Sequence, residues 1–255
     1  MRTQPNNVQF SVDPYTGGFN FHATDLIIPA PGIPVLIERF HDSLASFSPN
    51  SGWRFNFDES IRYEPLDESI TVNSPNGGKE RFVKNPNETY SSTTPGSLNT
   101  FKDNKDGSFT LTFKDKISHL FYAPDSEDSN YGKLYKIKDT HNNTITFYWA
   151  KFGSQVKITK IRDSIGRILN IEYVSTPDGR DLMYIKDWSG RKLTYTTISG
   201  WLTLFEDFEG NVTTYKPSAE NRVLRTECRE PSTENRVPRI RFTLRHIHQD
   251  FEYCL

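Results

Sequence analysis

Four aspartates recur along the second half of the chain, Asp139, Asp163, Asp187 and Asp207, at spacings of 24, 24 and 20 residues. Carboxylates do general acid–base work when two of them flank a substrate, and they hold calcium when several oxygens converge on one point. Each of these four opens a short string: Asp139-Thr-His-Asn142-Asn143, Asp163-Ser-Ile-Gly166-Arg167, Asp187-Trp-Ser-Gly190-Arg191 and Asp207-Phe-Glu-Gly210-Asn211. A catalytic pair has no need of such a period, whereas a repeated turn does. Asp at the first position of a type I turn accepts backbone N–H bonds, and Gly or Asn three residues later tolerates the left-handed conformation that leads into the next strand. Asp139, Asn142, Asp163, Gly166, Asp187, Gly190, Asp207 and Gly210 are therefore expected to be structural turn residues, not ligands or acids.

The other candidates for chemistry are weaker. Asp125-Ser-Glu-Asp128-Ser-Asn130 and Asp103-Asn-Lys-Asp106-Gly107 are oxygen-rich, but neither has the ligand spacing and terminal Glu of an EF-hand. The six histidines are scattered apart from His246 and His248, and the two cysteines, Cys228 and Cys254, both lie near the C-terminus. No Gly-x-Ser-x-Gly elbow and no Gly-rich phosphate loop is present. The expectation is no catalytic, cofactor-binding or metal-binding residue, no cofactor, and no enzyme. A glycosidase would need two carboxylates brought together, and the sequence does not single them out. Trp149, Trp188, Trp201 and Tyr184 would suit a sugar- or peptide-binding face, although aromatics in β-sheets more often fill the wall.

The elements that position these residues are strands. Phe 18 and Tyr 12 stand against Met 2, with frequent Thr, Ile and Val, which is the usage of pleated, half-buried surfaces. Fifteen prolines argue against long helices. Around each repeated Asp the pattern agrees: Ile137, Ile161, Ile185 and Phe205 two residues before, Ile145, Leu169, Leu193 and Thr213 six after, and Phe147, Ile171, Tyr195 and Tyr215 eight after. Positions six and eight share one face of a strand, so each repeat reads as a hairpin with a buried side. One hairpin is marginal in water and must stack on its neighbours. The fold expected is all-β: successive antiparallel hairpins forming a curved open strip, with little or no helix. Residues 107 to 122 form another hairpin of a different template, and residues 52–58 and 79–83 form short strands.

Four regions follow: a flexible N-terminus over 1–10, a β region over 11–130, the hairpin repeats over 131–216, and a tail over 217–255. That tail carries a seven-residue echo around Glu-Asn-Arg-Val and is expected to be foreign to the repeats, as a truncation or frameshift would leave it. The formal net charge of −1 gives no global field for nucleic acid, and no run of 18 apolar residues suggests a membrane span. No export signal is visible at Met1.

With those residues in view, the chain resembles the RHS/YD-repeat family of polymorphic toxins, wall-associated proteins and C-type subunits of insecticidal Tc toxins. Residues 185 to 195, Ile-x-Asp-x-x-Gly-Arg-x-Leu-x-Tyr, are similar to the family repeat, and residues 161–173 nearly so. Val12-Asp13-Pro14-Tyr15-Thr16-Gly17-Gly18-Phe19, Thr24-Asp25-Leu26, Arg39-Phe40-His41-Asp42-Ser43 and Gly52-Trp53 resemble the segment that opens many RHS cores. The match covers about residues 10 to 216. It implies a non-catalytic shell fragment that, with the remainder of an RHS shell, would encapsulate and deliver a C-terminal toxin or effector. Four repeats are too few to close such a shell, and no self-cleavage site is recognisable. The alternative is an extracellular YD-repeat module that binds cell-surface carbohydrate. In the full-length context the resemblance implies secretion or a cell-surface place, and a cytoplasmic one if only this fragment is made.

Overall fold

Hairpins dominate the computed structural model, which describes residues 7–15, 18–44, 52–123, 132–217 and 224–229. Among these residues there are twenty strands and a single 3-10 turn, Asn56–Asp58. A four-stranded sheet comes first, in the order β1 (Asn7–Val12), β2 (Phe19–Ile28), β3 (Val35–Asp42), β4 (Trp53–Phe55). Residues 7–10 thus begin a strand in a region expected to be flexible; alternating Val8 and Phe10 suit extended backbone better than coil.

A longer sheet follows the chain strand by strand. It runs through β5 (Ser60–Glu64), β6 (Ser69–Asn73), β7 (Lys79–Lys84), β8 (Tyr90–Ser92), β9 (Thr100–Asp103), β10 (Ser108–Thr112), β11 (Ser118–Tyr122), β12 (Leu134–Lys138), β13 (Thr144–Phe152) and β14 (Gln155–Arg162). It continues through β15 (Ile168–Ser175), β16 (Arg180–Lys186), β17 (Lys192–Ile198), β18 (Trp201–Glu206), β19 (Val212–Pro217) and β20 (Leu224–Arg229), sixteen strands with no crossover. Two compact units divide the chain: one holds residues 24–39 and 54–169, the other residues 8–23, 40–53 and 170 onward.

The alternation that patterned the sequence sets the core. In the first unit Phe147 faces Ile161 and Ile70 faces Phe82; in the second Ile171 faces Ile185, which faces Leu193, and Tyr195 faces Phe205. All of these are buried. Side chains two apart on a strand share a face, so within each unit a hydrophobic stripe passes through successive strands, and each strand shelters its neighbour's apolar row.

Eight loops share one backbone. At Ser74, Asn85, Phe113, Asp139, Asp163, Thr176, Asp187 and Asp207 the N–H donates to the carbonyl four residues on, and the N–H three residues on donates back, at 2.7–3.3 Å. The residue three positions on is left-handed in every case: Gly77, Glu88, Lys116, Asn142, Gly166, Gly179, Gly190 and Gly210. This is the three-residue hairpin loop built from a type I turn and a left-handed residue. The hairpin at β10 and β11 therefore has the repeat's own loop, although Phe113 replaces the Asp. The 20-residue interval between Asp187 and Asp207 is shorter because β17 turns into β18 through only Ser199 and Gly200, both left-handed.

At the first edge, β5 is not left bare. Ile61 N–H donates to the Gly132 carbonyl at 2.8 Å, Leu134 N–H reaches the Glu59 carbonyl at 3.3 Å, and Ser60 bridges Lys133. A covered edge offers no template to a foreign strand. At the other end β20 pairs with β19 from Val212 opposite Arg229 to Pro217 opposite Leu224. Residues 224–229, expected in a foreign tail, thus add a strand to the repeats; ladder bonds use backbone groups, which a low-complexity sequence supplies as well as any other. The rest of that tail, with His246 and His248, and the 125–130 loop lie outside the described residues.

Candidate functional site

Each repeated carboxylate is consumed by its own loop. Asp187 Oδ1 accepts the N–H groups of Ser189 at 2.9 Å and Arg191 at 3.0 Å together with the Ser189 hydroxyl at 2.8 Å, while Oδ2 accepts Arg191 Nε and Nη2 at 2.9 and 2.7 Å. Asp163 accepts Ile165 N–H, Arg167 N–H and Arg167 Nε at 3.1, 2.8 and 2.6 Å. Asp139 and Asp207 repeat the pattern with Asn143 and Asn211, whose amides donate at 2.7 and 2.8 Å. Asn142, Gly166, Gly190 and Gly210 supply the left-handed step. The Asn143 amide, opposed by a smaller desolvation effect, holds the Asp139 carboxyl below the usual carboxylate range. For Asp187 burial pulls upward, but the Ser189 and Arg191 donors outweigh it and keep it low. A carboxylate held ionised has no proton to donate at neutral pH, and with its lone pairs filled it is a weak base. Among the described residues no three His, Cys, Asp or Glu side chains gather to hold a metal.

What rests on two of these turns is the connection between β2 and β3. Within the first unit the Pro29 carbonyl accepts Arg167 Nη2 at 2.5 Å and the Pro31 carbonyl accepts the Ser164 hydroxyl at 3.2 Å. Arg167 thus bonds its own turn through Nε and the opening segment through Nη2. Gly32, at φ +74°, lies so close to the Asp139 carboxylate and the Asn143 amide that a Cβ there would overlap both. Within the second unit the opening segment meets the last repeat through aromatic rings. Trp53 lies edge-on to Tyr215 at 5.2 Å and to Phe21 at 5.4 Å, and His41 tilts on Trp53 at 4.9 Å. All four rings are buried.

Four polar ties were not legible as such. Asp25 and Arg39 form a buried two-pronged ion pair, with Nε to Oδ2 at 2.5 Å and Nη2 to Oδ1 at 2.8 Å. Glu59 bonds His119 Nδ1 at the β5 edge, where Phe113 stands edge-on to the imidazole at 4.7 Å. Next to it Asp58, half-buried, accepts Phe55 N–H at 2.8 Å, and desolvation pushes its carboxyl above the usual range. Glu80 is cradled by Ser92, Ser97 and Asn99 at 2.6, 2.5 and 2.8 Å. Asp25 and Glu59 depend on partners 14 and 60 residues away, which no local spacing announces.

Trp149, Trp188, Trp201 and Tyr184, the aromatics that would suit a sugar- or peptide-binding face, each have their own local surroundings. Trp149 donates its indole N–H to the Leu134 carbonyl at 2.8 Å with Lys133 over its ring, Trp201 is half-buried, and Tyr184 is flanked by Lys186 and Lys192. Of the four only Trp188, 48 % exposed at the tip of its turn, presents itself to solvent.

Residues 10–82 match the model of DUF6531, a domain of unknown function. The matched stretch runs from β1 into β7 and contains Phe21, Asp25, Arg39, His41, Trp53 and Glu59. The stretch that sits on the repeat turns is therefore the stretch that the family model describes. No curated protein matches the chain.

Proposed function

We propose that this chain is a non-catalytic wall segment, of the RHS/YD-repeat kind, that helps to enclose and deliver an effector domain. The observation that carries the reading is the use of the repeated carboxylates: each is spent on closing a hairpin loop, and the hairpins follow one another without a crossover. A sheet that grows hairpin by hairpin extends as a wall while each added strand buries the apolar row of the one before. In this reading the DUF6531 stretch is a fastener, hydrogen-bonded to the turns at one point and packed on Tyr215 at another. Partners would be the remainder of the shell and the domain it confines.

Protease protection in the product of the complete locus tests it. A domain enclosed with this wall should survive limited proteolysis and lose that protection with Trp53→Ala, which removes the ring between Phe21 and Tyr215. Equal digestion of every domain in the parent protein, or turnover of an oligosaccharide by this chain, overturns the reading.

A further inference from the structure

Strands β10 to β14 contain no Asp or Glu, but six Lys and Arg. Register places four of these cations on one face. Lys136 pairs with Thr146, which pairs with Arg162; Lys138 pairs with Thr144; Lys160 pairs with Tyr148. The alternate positions Ile145, Phe147 and Ile161 are buried, so the four cations lie on the side away from the core. Strand spacing and rise put them in a field of about 10 Å across the strands and about 14 Å along them. Their neighbours are hydroxyls: Thr144 and Thr146 on β13, and Ser118, which lies opposite Lys138 and within 3.1 Å of Thr112 Oγ1.

Several cations elsewhere among the described residues are paired: Lys84 with Glu68 and Glu88, Lys105 with Asp103, Lys186 with Glu172. Lys136, Lys138, Lys160 and Arg162 have no carboxylate partner among the described residues. Four like charges side by side repel one another, a cost that an external anion removes. The aromatic rings present decide which anion. Lys136 covers the Tyr135 ring at 5.6 Å and Lys160 covers that of Tyr148 at 5.5 Å, so the ring faces on which a nucleobase would stack are occupied. What the face offers is positive charge among hydroxyl groups, which suits a chain carrying both anionic groups and hydroxyls.

We infer that the outward face of β11 to β14 binds an acidic polysaccharide, with Lys136, Lys138, Lys160 and Arg162 taking its sulfate or carboxylate groups and Thr144 and Thr146 its hydroxyls. This surface does not depend on the wall reading: it requires only the register of four strands.

Fluorescently labelled heparin and polygalacturonate, titrated against the full chain at low and at physiological salt, test it, with a single-stranded oligothymidylate as the nucleic-acid arm. At least one polysaccharide should bind, more weakly as salt rises because exposed charges are screened within about 10 Å at 0.1 M. Combined Lys136→Gln, Lys138→Gln, Lys160→Gln and Arg162→Gln should weaken that binding by about tenfold or more, on the order of 1.4 kcal/mol. Lys136→Arg, Lys138→Arg and Lys160→Arg should preserve it, as should Lys79→Gln, Lys114→Gln and Lys116→Gln elsewhere. Thermal unfolding of each variant establishes that it is folded. The inference is overturned if neither polysaccharide binds at low salt, if the folded glutamine variant binds like the parent, or if oligothymidylate binds as tightly as the polysaccharides.

Discussion

Replacing Asp187 by Ala should open one turn without unfolding the sheet, and the size of the effect can be worked from its bonds. The carboxylate accepts two backbone N–H groups, one hydroxyl and a two-pronged guanidinium, and it is buried. A hydrogen bond to a charged group contributes roughly 1.5–3 kcal/mol, and truncating one partner leaves the other unsatisfied. Arg191 and the Ser189 hydroxyl can turn to water, since the Arg191 side chain is 39 % exposed, so they add little. The two backbone donors remain, and partial hydration of the loop brings their combined loss to about 2–3 kcal/mol. Asp187→Asn keeps one acceptor for the same N–H groups and forfeits the charge, so it should cost about 1 kcal/mol. Amide hydrogen exchange at Ser189 and Arg191 reads this directly: opening by 2–3 kcal/mol speeds exchange roughly 30- to 150-fold if the loop opens by itself. Exchange in Asp187→Ala at the parent rate, or an Asn variant as fast as the Ala variant, would refute the reasoning that the carboxylate holds the loop through its backbone donors.

Three glycines should rank by what a Cβ meets. Gly190→Ala finds open space and bears only its left-handed φ of +87°, about 1 kcal/mol, whereas Gly32→Ala overlaps Asp139 and Asn143, and Gly132→Ala strikes the Ile61 carbonyl at the β5 edge. Denaturant midpoints should fall in that order, Gly132→Ala lowest, because backbone cannot swing aside as a side chain can. Asp25→Ala, which removes the carboxylate that both guanidinium prongs of the buried Arg39 meet, should cost about 3 kcal/mol in chemical denaturation, and pairing Asp25→Leu with Arg39→Met should recover part of it. Acid should destabilise the chain: the carboxyls of Asp139, Asp178 and Asp187 titrate below their usual 3.8, Asp178 at about 2, so their contribution is present above pH 3.8 and is lost as pH falls through the folded values. Asp58, raised by burial, works the other way, since its protonation on acidification favours the fold. Circular dichroism melts from pH 5 to pH 2 should show a falling limb that is shallower in Asp187→Asn.

The turns carried by side-chain chemistry were legible, and those carried by backbone alone were not. Asp139, Asp163, Asp187 and Asp207 announce themselves because a carboxylate at the first loop position and a left-handed residue at the fourth are both visible as residue types. At Asn85 and Phe113 the left-handed residues are Glu88 and Lys116, which nothing in their chemistry marks out. A fainter signal was present: Asn76, Asn87 and Asp115 each stand two residues into their loops and accept the N–H two residues further on, at 3.0, 3.3 and 3.1 Å. The acceptor has moved from the first loop position to the third, so a template anchored on the first misses it. The strand β8 escaped for a related reason, its three residues lying in a stretch of Ser, Thr, Asn and Pro that reads as loop. The ion pair of Asp25 and Arg39 and the cation field of β12 to β14 arise from register, which a one-strand pattern does not contain.

The two loop forms also divide the work between the ends of the sheet. Where the acceptor sits at the first position, Arg or Asn follows at the fifth, and in Asp163 that Arg reaches beyond its own turn to the Pro29 carbonyl. In the loops opened by Ser74, Asn85 and Phe113, with the acceptor at the third position, the fifth residue is Gly78, Thr89 or Ile117, none of which carries a charged donor; the loop opened by Thr176 joins Asp178 at the third position to Arg180 at the fifth, within the turn itself. The Asp form is therefore both a closure and a docking point, and the loop between β2 and β3 uses two of its copies. Arg167→Lys separates these roles, because a single ammonium cannot serve the Asp163 carboxylate in the planar two-sided way that the guanidinium serves both partners. Its turn amides, held by the unchanged carboxylate, should keep their slow exchange, while the amides of residues 30, 32 and 33 should exchange faster. If both sets accelerated together, closure and docking would be one function and not two.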